Sequence, residues 1–147
     1  MSKTSADRIV CYFDGACPGN QNATKGPMKA AYVIGDREVV RDVPDLLISQ
    51  GPLRTNNIAE YHALLYLLEE LVDSGRESAY LICGDSELVV YQMTGRYQVR
   101  KPYLAPLHAE AKRLAARLDV TFRAVPREDN RAGRLLESEA KRARSRG

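Results

Sequence analysis

The sequence predicts an α/β protein built on one mixed β-sheet with helices packed against it. Short apolar stretches rich in β-branched and aromatic residues alternate along the chain with segments of helical periodicity. The first three strand-like stretches follow one another through short connections, which favours an antiparallel meander. The two later ones are separated by helical segments, which favours parallel strands reached through crossovers.

Five segments are predicted as strands by their composition and by the turn residues beside them. In chain order they are RIVCYF (8–13), KAAYVIG (29–35), EVVRDV (38–43), SAYLICG (78–84) and VTFRAVP (120–126). Asp36 and Arg37 join the second and third into a predicted hairpin. Residues 44–54 give mixed signals, because DLLIS can extend a strand while GPLR is typical of a turn.

The clearest helix covers TNNIAEYHALLYLLEELV, with apolar residues at the 3.6-residue spacing of one buried face. Asn56 or Asn57 is the predicted cap at its start, and Gly75 lies just past its end. Three further helices are predicted at SELVVYQMT (86–94), at LAPLHAEAKRLAARL (104–118) with an early interruption at Pro106, and at NRAGRLLESEAKRARS (130–145) with Asn130 as its cap.

A chain of 147 residues has the size of one domain, and we expect a single domain over 1–147 with its core at about 8–143. No apolar run approaches the ~20 residues that span a bilayer. The start, MSKTSADR, lacks the apolar core of a secretory signal, so we expect a cytoplasmic protein with no membrane partner. Three cysteines without CxxC spacing favour reduced thiols over a disulfide framework. We expect a monomer.

The net charge of +3 is weak, but its distribution is uneven. From Arg123 to the end there are eight Lys or Arg against four acids. A basic end of this kind can meet phosphates, or it can be the solvated face of a helix with a frayed tail. Both interpretations stay open on the sequence alone.

Three acids are predicted to meet at one edge of the sheet. Asp14 and Asp85 each follow an apolar strand, and the carboxyl ends of parallel strands are where ligands bind in such sheets. Glu60 falls near the start of the long helix, beside its apolar face. Each acid also has a simpler explanation: turn chemistry for Asp14, a helix cap for Asp85, and a favourable helix-dipole contact for Glu60.

Three crowded carboxylates repel one another unless a cation lies between them. Hard oxygen ligands with open coordination positions suit Mg²⁺ or Mn²⁺. The three acids together therefore predict a site for divalent metal.

Four segments in order resemble ribonuclease H of type 1: FDGACPGN, TNNIAEYHALLYLLE, ICGDSELVVYQMTGRY and VTFRAVPREDN. The resemblance covers roughly residues 8–140. It implies the ribonuclease H-like fold, a five-stranded mixed sheet flanked by helices. It also implies metal-dependent endonucleolytic hydrolysis of the RNA strand of an RNA/DNA hybrid, leaving 5′-phosphate and 3′-hydroxyl ends.

The resemblance also implies roles for individual residues. Asp14, Glu60 and Asp85 match three of the four metal-binding acids, which are also the catalytic ones. Four further residues match positions that contact substrate in the family. Asn20, Asn56 and Asn57 match positions near the 2′-hydroxyls of the RNA strand, and Thr55 matches a position that holds a phosphate of the DNA strand. Those at 55–57 can also be ordinary helix-entry residues.

The sequence departs from the family in its last motif. Gly133 stands at the small position and Arg134 where the fourth acid is expected, while Glu137, one helical turn on, is a candidate replacement metal ligand. The preceding loop lacks the histidine of some relatives, which makes Arg127 the nearest polar candidate for contact with substrate. Either activity survives with an altered metal demand, or the chain is a catalytically weak or inactive nucleic-acid-binding module.

The segment TGRYQVRKPY is a candidate for substrate grip. It places Arg96, Arg100 and Lys101 beside two tyrosines, a composition suited to phosphates and stacked bases, although a solvated turn also accounts for it. A nuclease of the same fold acting on another substrate remains a third possibility, since a fold does not fix a function.

Overall fold

The fold was determined as a computed structural model that describes residues 8–19 and 26–146. Its main sheet has five strands in the order β3-β2-β1-β6-β7. The strands are β1 Ile9–Ala16, β2 Met28–Ile34, β3 Arg37–Val43, β4 Leu46–Ile48, β5 Gly51–Leu53, β6 Ala79–Gly84 and β7 Asp119–Ala124; the helices are α1 Asn56–Ser74, α2 Glu87–Thr94, α3 Ala105–Ala115 and α4 Arg131–Arg146.

The pairing within the main sheet is mixed, which confirms the predicted fold class. β1, β2 and β3 form an antiparallel meander, β6 pairs in parallel with β1, and β7 pairs in parallel with β6. The ambiguous residues after the meander form a separate two-stranded hairpin, β4 with β5. Neither interpretation of 44–54 was complete, because the strand and the turn residues both belong to this hairpin.

The two faces of the sheet are covered by different helices. Cys11 and Phe13 of β1 point into the larger core with α1, α2 and α3, whereas Tyr12 packs with the α4 side of the sheet. Side chains alternate between faces along a strand, so Asp14 belongs to the same set as Tyr12 and faces α4.

The parallel register aligns two of the predicted site residues. Tyr12 of β1 lies level with Cys83 of β6, and continuing this register by two residues brings Asp14 level with Asp85. The sequence suggested that Asp14 comes after the end of the first strand. In the structure it lies within β1, which continues to Ala16. Asp85 does follow its strand, which ends at Gly84.

The helix ends differ from the prediction at two places. Thr55 caps α1, since its Oγ1 accepts a hydrogen bond from the N–H of Ile58, so neither Asn56 nor Asn57 is the cap. Pro106 does not interrupt α3 but lies in its first turn, where the missing N–H has no partner to lose. At the other end of α1, Gly75 takes the left-handed conformation (φ 65°) that the sequence suggested.

None of the helices in the described ranges is long and apolar enough to cross a membrane. The three cysteines, Cys11, Cys17 and Cys83, are buried and form no disulfide with one another.

Candidate active site

Asp14, Glu60 and Asp85 come together at one edge of the main sheet. Each offers one carboxylate oxygen, and the three oxygens lie within 4.8 Å of one another. The residues come from β1, from α1 and from the end of β6, so the cluster exists only in the folded chain. Sequence reasoning placed the three acids at this edge, and the structure brings them into contact distance.

Gly15 is the residue that lets α1 reach the end of β1. A Cβ at position 15 would lie 2.2 Å from the carbonyl carbon of Ala59 and 2.4 Å from the backbone nitrogen of Glu60. No side chain can occupy that space, so the two backbones touch directly. The contact allows Glu60, which comes from the α1 side of the sheet, to meet Asp14, which faces α4.

Two of the three acids are buried. Asp14 is 3% exposed and Glu60 is 8% exposed. Within the described part of the chain, Oδ1 of Asp14 and Oε2 of Glu60 are buried with no hydrogen-bond partner. An ionised carboxylate in this position loses hydration that nothing in the described chain replaces.

Burial is also the main reason why both carboxyl groups hold protons more tightly than usual. Desolvation, with a smaller contribution from the charge of Asp85, raises the pKa of Asp14 to about 6, against the lowering effect of Glu60 hydrogen bonding and Arg127. Desolvation and the neighbouring charge of Asp14 raise the pKa of Glu60 well above its usual range, opposed by a hydrogen bond from the Gly15 backbone.

These features fit a divalent cation. Buried carboxylate oxygens without partners are expensive in the absence of positive charge, and a cation bound between them would supply it. The donor set is entirely carboxylate, which suits hard ions. The site therefore indicates use of a divalent metal.

Asn130 is a site residue whose role sequence reasoning missed. It is fully buried, and its Nδ2 donates to Oδ1 of Asp85 at 2.8 Å and to the carbonyl oxygen of Phe13 at 3.0 Å. Its Oδ1 accepts from the N–H of Ala132 at 3.1 Å, as expected of the predicted cap of α4. The side chain thus ties the start of α4 to Asp85 and β1. Its place in the last motif was the only signal in the sequence.

Arg127 lies at the rim of the cluster. Its Nη1 is 3.4 Å from Oδ2 of Asp85, and its side chain is 66% exposed. Glu137 does not join the three acids: it is exposed, and its Oε1 lies 4.0 Å from Nε of Arg127. A role for Glu137 as a metal ligand therefore stays a prediction without a contact to support it.

The structure places Gly133, and not Arg134, against the acids. A Cβ at position 133 would lie 3.2 Å from Oδ2 of Asp14. Arg134 is exposed and lines a shallow cavity with Glu38 of β3, together with Arg131. Adjacent helix residues point about 100° apart, so the side chain of Arg134 leaves α4 in a different direction from the position of Gly133.

Three of the predicted substrate contacts, Thr55, Asn56 and Asn57, lie at the start of α1. Asn20 falls outside the described residues. Asn56 is exposed, and its Oδ1 accepts a hydrogen bond from the N–H of Cys17 at 3.0 Å. The hydroxyl of Thr55 accepts from Ile58 in its capping role and keeps its own hydrogen for another acceptor.

Asn57 begins a basic groove that runs along the connection between α2 and α3. The groove is a cavity of about 580 Å³, and it is lined by polar and basic side chains that include Asn57, Gln92, Arg96, Tyr97, Arg100 and Lys101. Arg96 stacks on the ring of Tyr91 at 4.2 Å. The histidines serve packing: His62 contacts the carbonyl oxygen of Ile58, and His108 contacts that of Gln92.

Known proteins resemble this chain over most of its length. Residues 13–140 match the model of a family described as reverse transcriptase-like. A ribonuclease HI of Halobacterium salinarum is 35% identical over 136 residues, which is 90% of this chain and 64% of the relative. A bifunctional protein of Mycobacterium tuberculosis is 37% identical over 136 residues, 90% of this chain but 35% of the relative. The chain thus spans under two thirds of the length of these relatives.

Solved structures share the fold. The crystal structure of ribonuclease H1 from Halobacterium salinarum has a TM-score of 0.71 at 33% identity, covering 88% of this chain and 93% of that one. The LC11 ribonuclease H1 in complex with an RNA/DNA hybrid has a TM-score of 0.69 at 31% identity, covering 84% and 89%. With the acid cluster, these matches show that the chain belongs to the reverse transcriptase-like family of ribonuclease H-like domains.

Proposed function

We propose that the chain is a metal-dependent endoribonuclease that hydrolyses the RNA strand of RNA/DNA hybrids. The observation that carries the proposal is the convergence of three carboxylates, two of them buried with an unpartnered oxygen, within 4.8 Å. Supporting it are the similarity to ribonucleases H and the hybrid bound by one structural neighbour. One chain supplies all the acids, so a monomer is a sufficient acting unit.

The proposed cofactor is Mg²⁺ or Mn²⁺, held by Asp14, Glu60 and Asp85. When bound, such an ion supplies positive charge that lowers the pKa of water and stabilises the charge that develops on a phosphodiester. Deprotonation of the carboxyl groups is required for binding. Because Asp14 and Glu60 have raised pKa values, metal binding at this site releases protons at mildly acidic pH.

Asn130 and Arg127 orient one of these ligands. Each of the two carboxylate oxygens of Asp85 faces one of them: Asn130 donates to Oδ1 at 2.8 Å, and Arg127 lies 3.4 Å from Oδ2. Partners of this kind fix the rotamer of a metal ligand. Arg127 is also exposed enough to contact the substrate, which is the role predicted for it.

The residues at the start of α1 are proposed to contact both strands of the substrate. Short amides at Asn56 and Asn57 can bond a ribose 2′-hydroxyl, the group that distinguishes RNA from DNA. Thr55 retains a hydroxyl hydrogen for a phosphate oxygen. From Asn57, the basic groove continues to Arg96, where cations can track a nucleic-acid backbone.

The alternative is a binding module without efficient cleavage, marked by Arg134 in place of the fourth acid. Arg134 is exposed and lines a cavity with Glu38, and Gly133 is the residue of α4 beside Asp14. Only three carboxylates line the cluster in the described chain, but their number does not by itself prevent metal binding. Cleavage is thus the better-supported function.

One assay tests the proposal. Purified protein is incubated with labelled RNA/DNA hybrid, double-stranded RNA and duplex DNA, in Mg²⁺ and then in Mn²⁺. Asp14→Asn is the inactive variant, and Asp36→Asn, an exposed aspartate in the turn between β2 and β3, is the matched control. We expect cleavage of the hybrid alone, lost in Asp14→Asn and kept in Asp36→Asn. Tight binding of hybrid without cleavage in either metal would instead establish the binding module.

A further inference from the structure

Arg54 is a buried charged residue that the catalytic site does not use. Its side chain is 5% exposed, and its Nη1 lies 3.8 Å from Oδ1 of Asp45. Its Nη2 donates to two backbone carbonyl oxygens, that of Pro18 at 3.1 Å and that of Gly26 at 2.5 Å. Burying a guanidinium is costly, and the planar fork of arginine makes it suited to hold several acceptors in fixed geometry.

One of the two carbonyls that Arg54 holds, that of Pro18, lies next to a residue that contacts a predicted substrate-binding side chain. Pro18 directly follows Cys17, and the N–H of Cys17 donates to Oδ1 of Asn56 at 3.0 Å. Arg54 itself directly precedes Thr55, the cap of α1. Two hydrogen-bonded links therefore join the segment after β1 to the first residues of α1.

The bond from Cys17 fixes which way the Asn56 amide points. A backbone N–H can only donate, so the atom that faces it must be the carbonyl oxygen Oδ1 and not the NH₂ group. The NH₂ group must then lie on the other side of the side chain, and Asn56 is exposed to solvent there. In this arrangement the NH₂ group is the part of the Asn56 side chain that offers hydrogen-bond donors to a ligand.

We propose that Arg54 is a positioning residue, which through Pro18 and Cys17 holds Asn56 as a donor to acceptor oxygens on the sugars of the bound strand. The inference rests on the proposed function. It adds a positioning residue, and it states that Asn56 is the donor in its hydrogen bond to the substrate. Without Arg54, the segment at Pro18 loses its anchor, the Cys17 bond loosens, and the Asn56 amide is free to flip.

A double-mutant cycle with hybrid binding tests the inference. Arg54→Met keeps the apolar stem and removes every donor, and Asn56→Ala removes the amide. We expect Arg54→Met to weaken hybrid binding and raise KM by about tenfold, the effect of losing one hydrogen bond to a charged or well-placed partner. We expect kcat within about twofold of wild type, because Arg54 does not contact the three acids.

The coupling energy between Arg54→Met and Asn56→Ala distinguishes a positioning role of Arg54 from a general effect on stability. In the Asn56→Ala background, Arg54→Met should weaken binding by less than about twofold, since the side chain it positions is gone. In the Asn57→Ala background, the matched control, it should retain its tenfold effect. Affinity of the metal site for Mn²⁺ should be unchanged throughout. Arg54→Lys keeps the charge and can reach one carbonyl, so it should show an intermediate effect if Arg54→Met folds poorly.

Equal effects of Arg54→Met in both backgrounds would overturn the inference, as would an unchanged KM in a folded variant. These outcomes leave the proposed function intact if the wild-type chain still cleaves hybrid. If the wild-type chain neither binds nor cleaves hybrid, the proposed function fails, and the positioning role fails with it.

Discussion

Gly133 of α4 faces the carboxylate of Asp14 so closely that a methyl group at position 133 would lie 3.2 Å from Oδ2. This distance is shorter than an ordinary van der Waals contact. Any residue other than glycine at position 133 therefore requires a small shift of the Asp14 carboxylate. The neighbouring Arg134 is exposed on the β3 side. Position 133 is therefore the place on α4 from which a side chain would reach the acids.

A pair of aspartate substitutions tests this placement. Gly133→Asp adds a fourth carboxylate beside Asp14, so we expect it to lower the stability of the metal-free protein by like-charge repulsion and to raise the affinity for Mn²⁺ about tenfold. Arg134→Asp makes a larger change of charge but lies away from the cluster, and we expect less than a threefold change in affinity. Calorimetric titration with Mn²⁺ measures both, and a larger gain from Arg134→Asp would show that position 134 faces the acids.

The pH dependence of stability follows from the raised pKa values of the buried pair. The pKa of Asp14 rises from 3.8 to about 6 on folding, and that of Glu60 is also raised. The folded chain therefore binds more protons than the unfolded chain, and this pair lowers the free energy of unfolding as pH rises from about 4 through 6. Adding metal should oppose the loss, because a cation favours the ionised pair.

Glu60→Gln isolates that contribution. It removes one of the two charges, so we expect the metal-free variant to be more stable than wild type at pH 8, by on the order of 1–3 kcal/mol. The two curves should converge near pH 4, where the wild-type pair is protonated. Urea unfolding between pH 4 and 8 measures the difference, with Glu69→Gln as the exposed control. A constant difference across this range would contradict the assigned pKa shifts.

The sequence predicted those parts of the structure that depend on local pattern. Strand composition and crossover order were enough for the five-stranded sheet, and they placed Asp14 and Asp85 at one edge. Helical periodicity placed Glu60 beside the apolar face of α1, and the resemblance to ribonuclease H matched it to the same site. The rotation of α4 about its axis was not predictable, because Gly133 and Arg134 are adjacent and only packing decides which one faces the cluster.

Long-range contacts between polar groups were also beyond the sequence. Arg54 bonds carbonyl oxygens 36 and 28 residues earlier in the chain, and Asn130 bonds Asp85, 45 residues away. Neither residue stands in a periodic pattern that reveals such partners. Asn130 was predicted as a helix cap, which is correct but describes only one of the three hydrogen bonds that its side chain makes with described residues.

The basic groove makes a prediction about salt dependence. Arg96, Arg100 and Lys101 line it beside Asn57. If they neutralise phosphates of the substrate, replacing all three with glutamine should weaken hybrid binding and reduce the slope of log K against log salt by about 2–3. Arg117→Gln removes one exposed positive charge just past the end of α3, away from the groove, and as the control it should lower the slope by less than about 0.5. An unchanged slope in the triple variant would exclude this groove from the binding surface.

The close contact between the backbones of β1 and α1 at Gly15 gives the last prediction. A Cβ at position 15 would lie 2.2 Å from the carbonyl carbon of Ala59, and backbone cannot yield as a flexible side chain can. Gly15→Ala should therefore push α1 away from β1, lower stability by about 3 kcal/mol and separate Glu60 from Asp14.

The control is a glycine whose substitution strains the backbone conformation but meets no neighbouring atom. Gly75 has a φ of 65° and open space around it, so Gly75→Ala should lower stability by about 1 kcal/mol without moving the acids. Thermal unfolding and Mn²⁺ titration together separate the two cases. Gly15→Ala should lose both stability and metal affinity, whereas Gly75→Ala should lose stability alone. Full Mn²⁺ affinity in a folded Gly15→Ala protein would mean that Glu60 does not depend on this contact to reach Asp14.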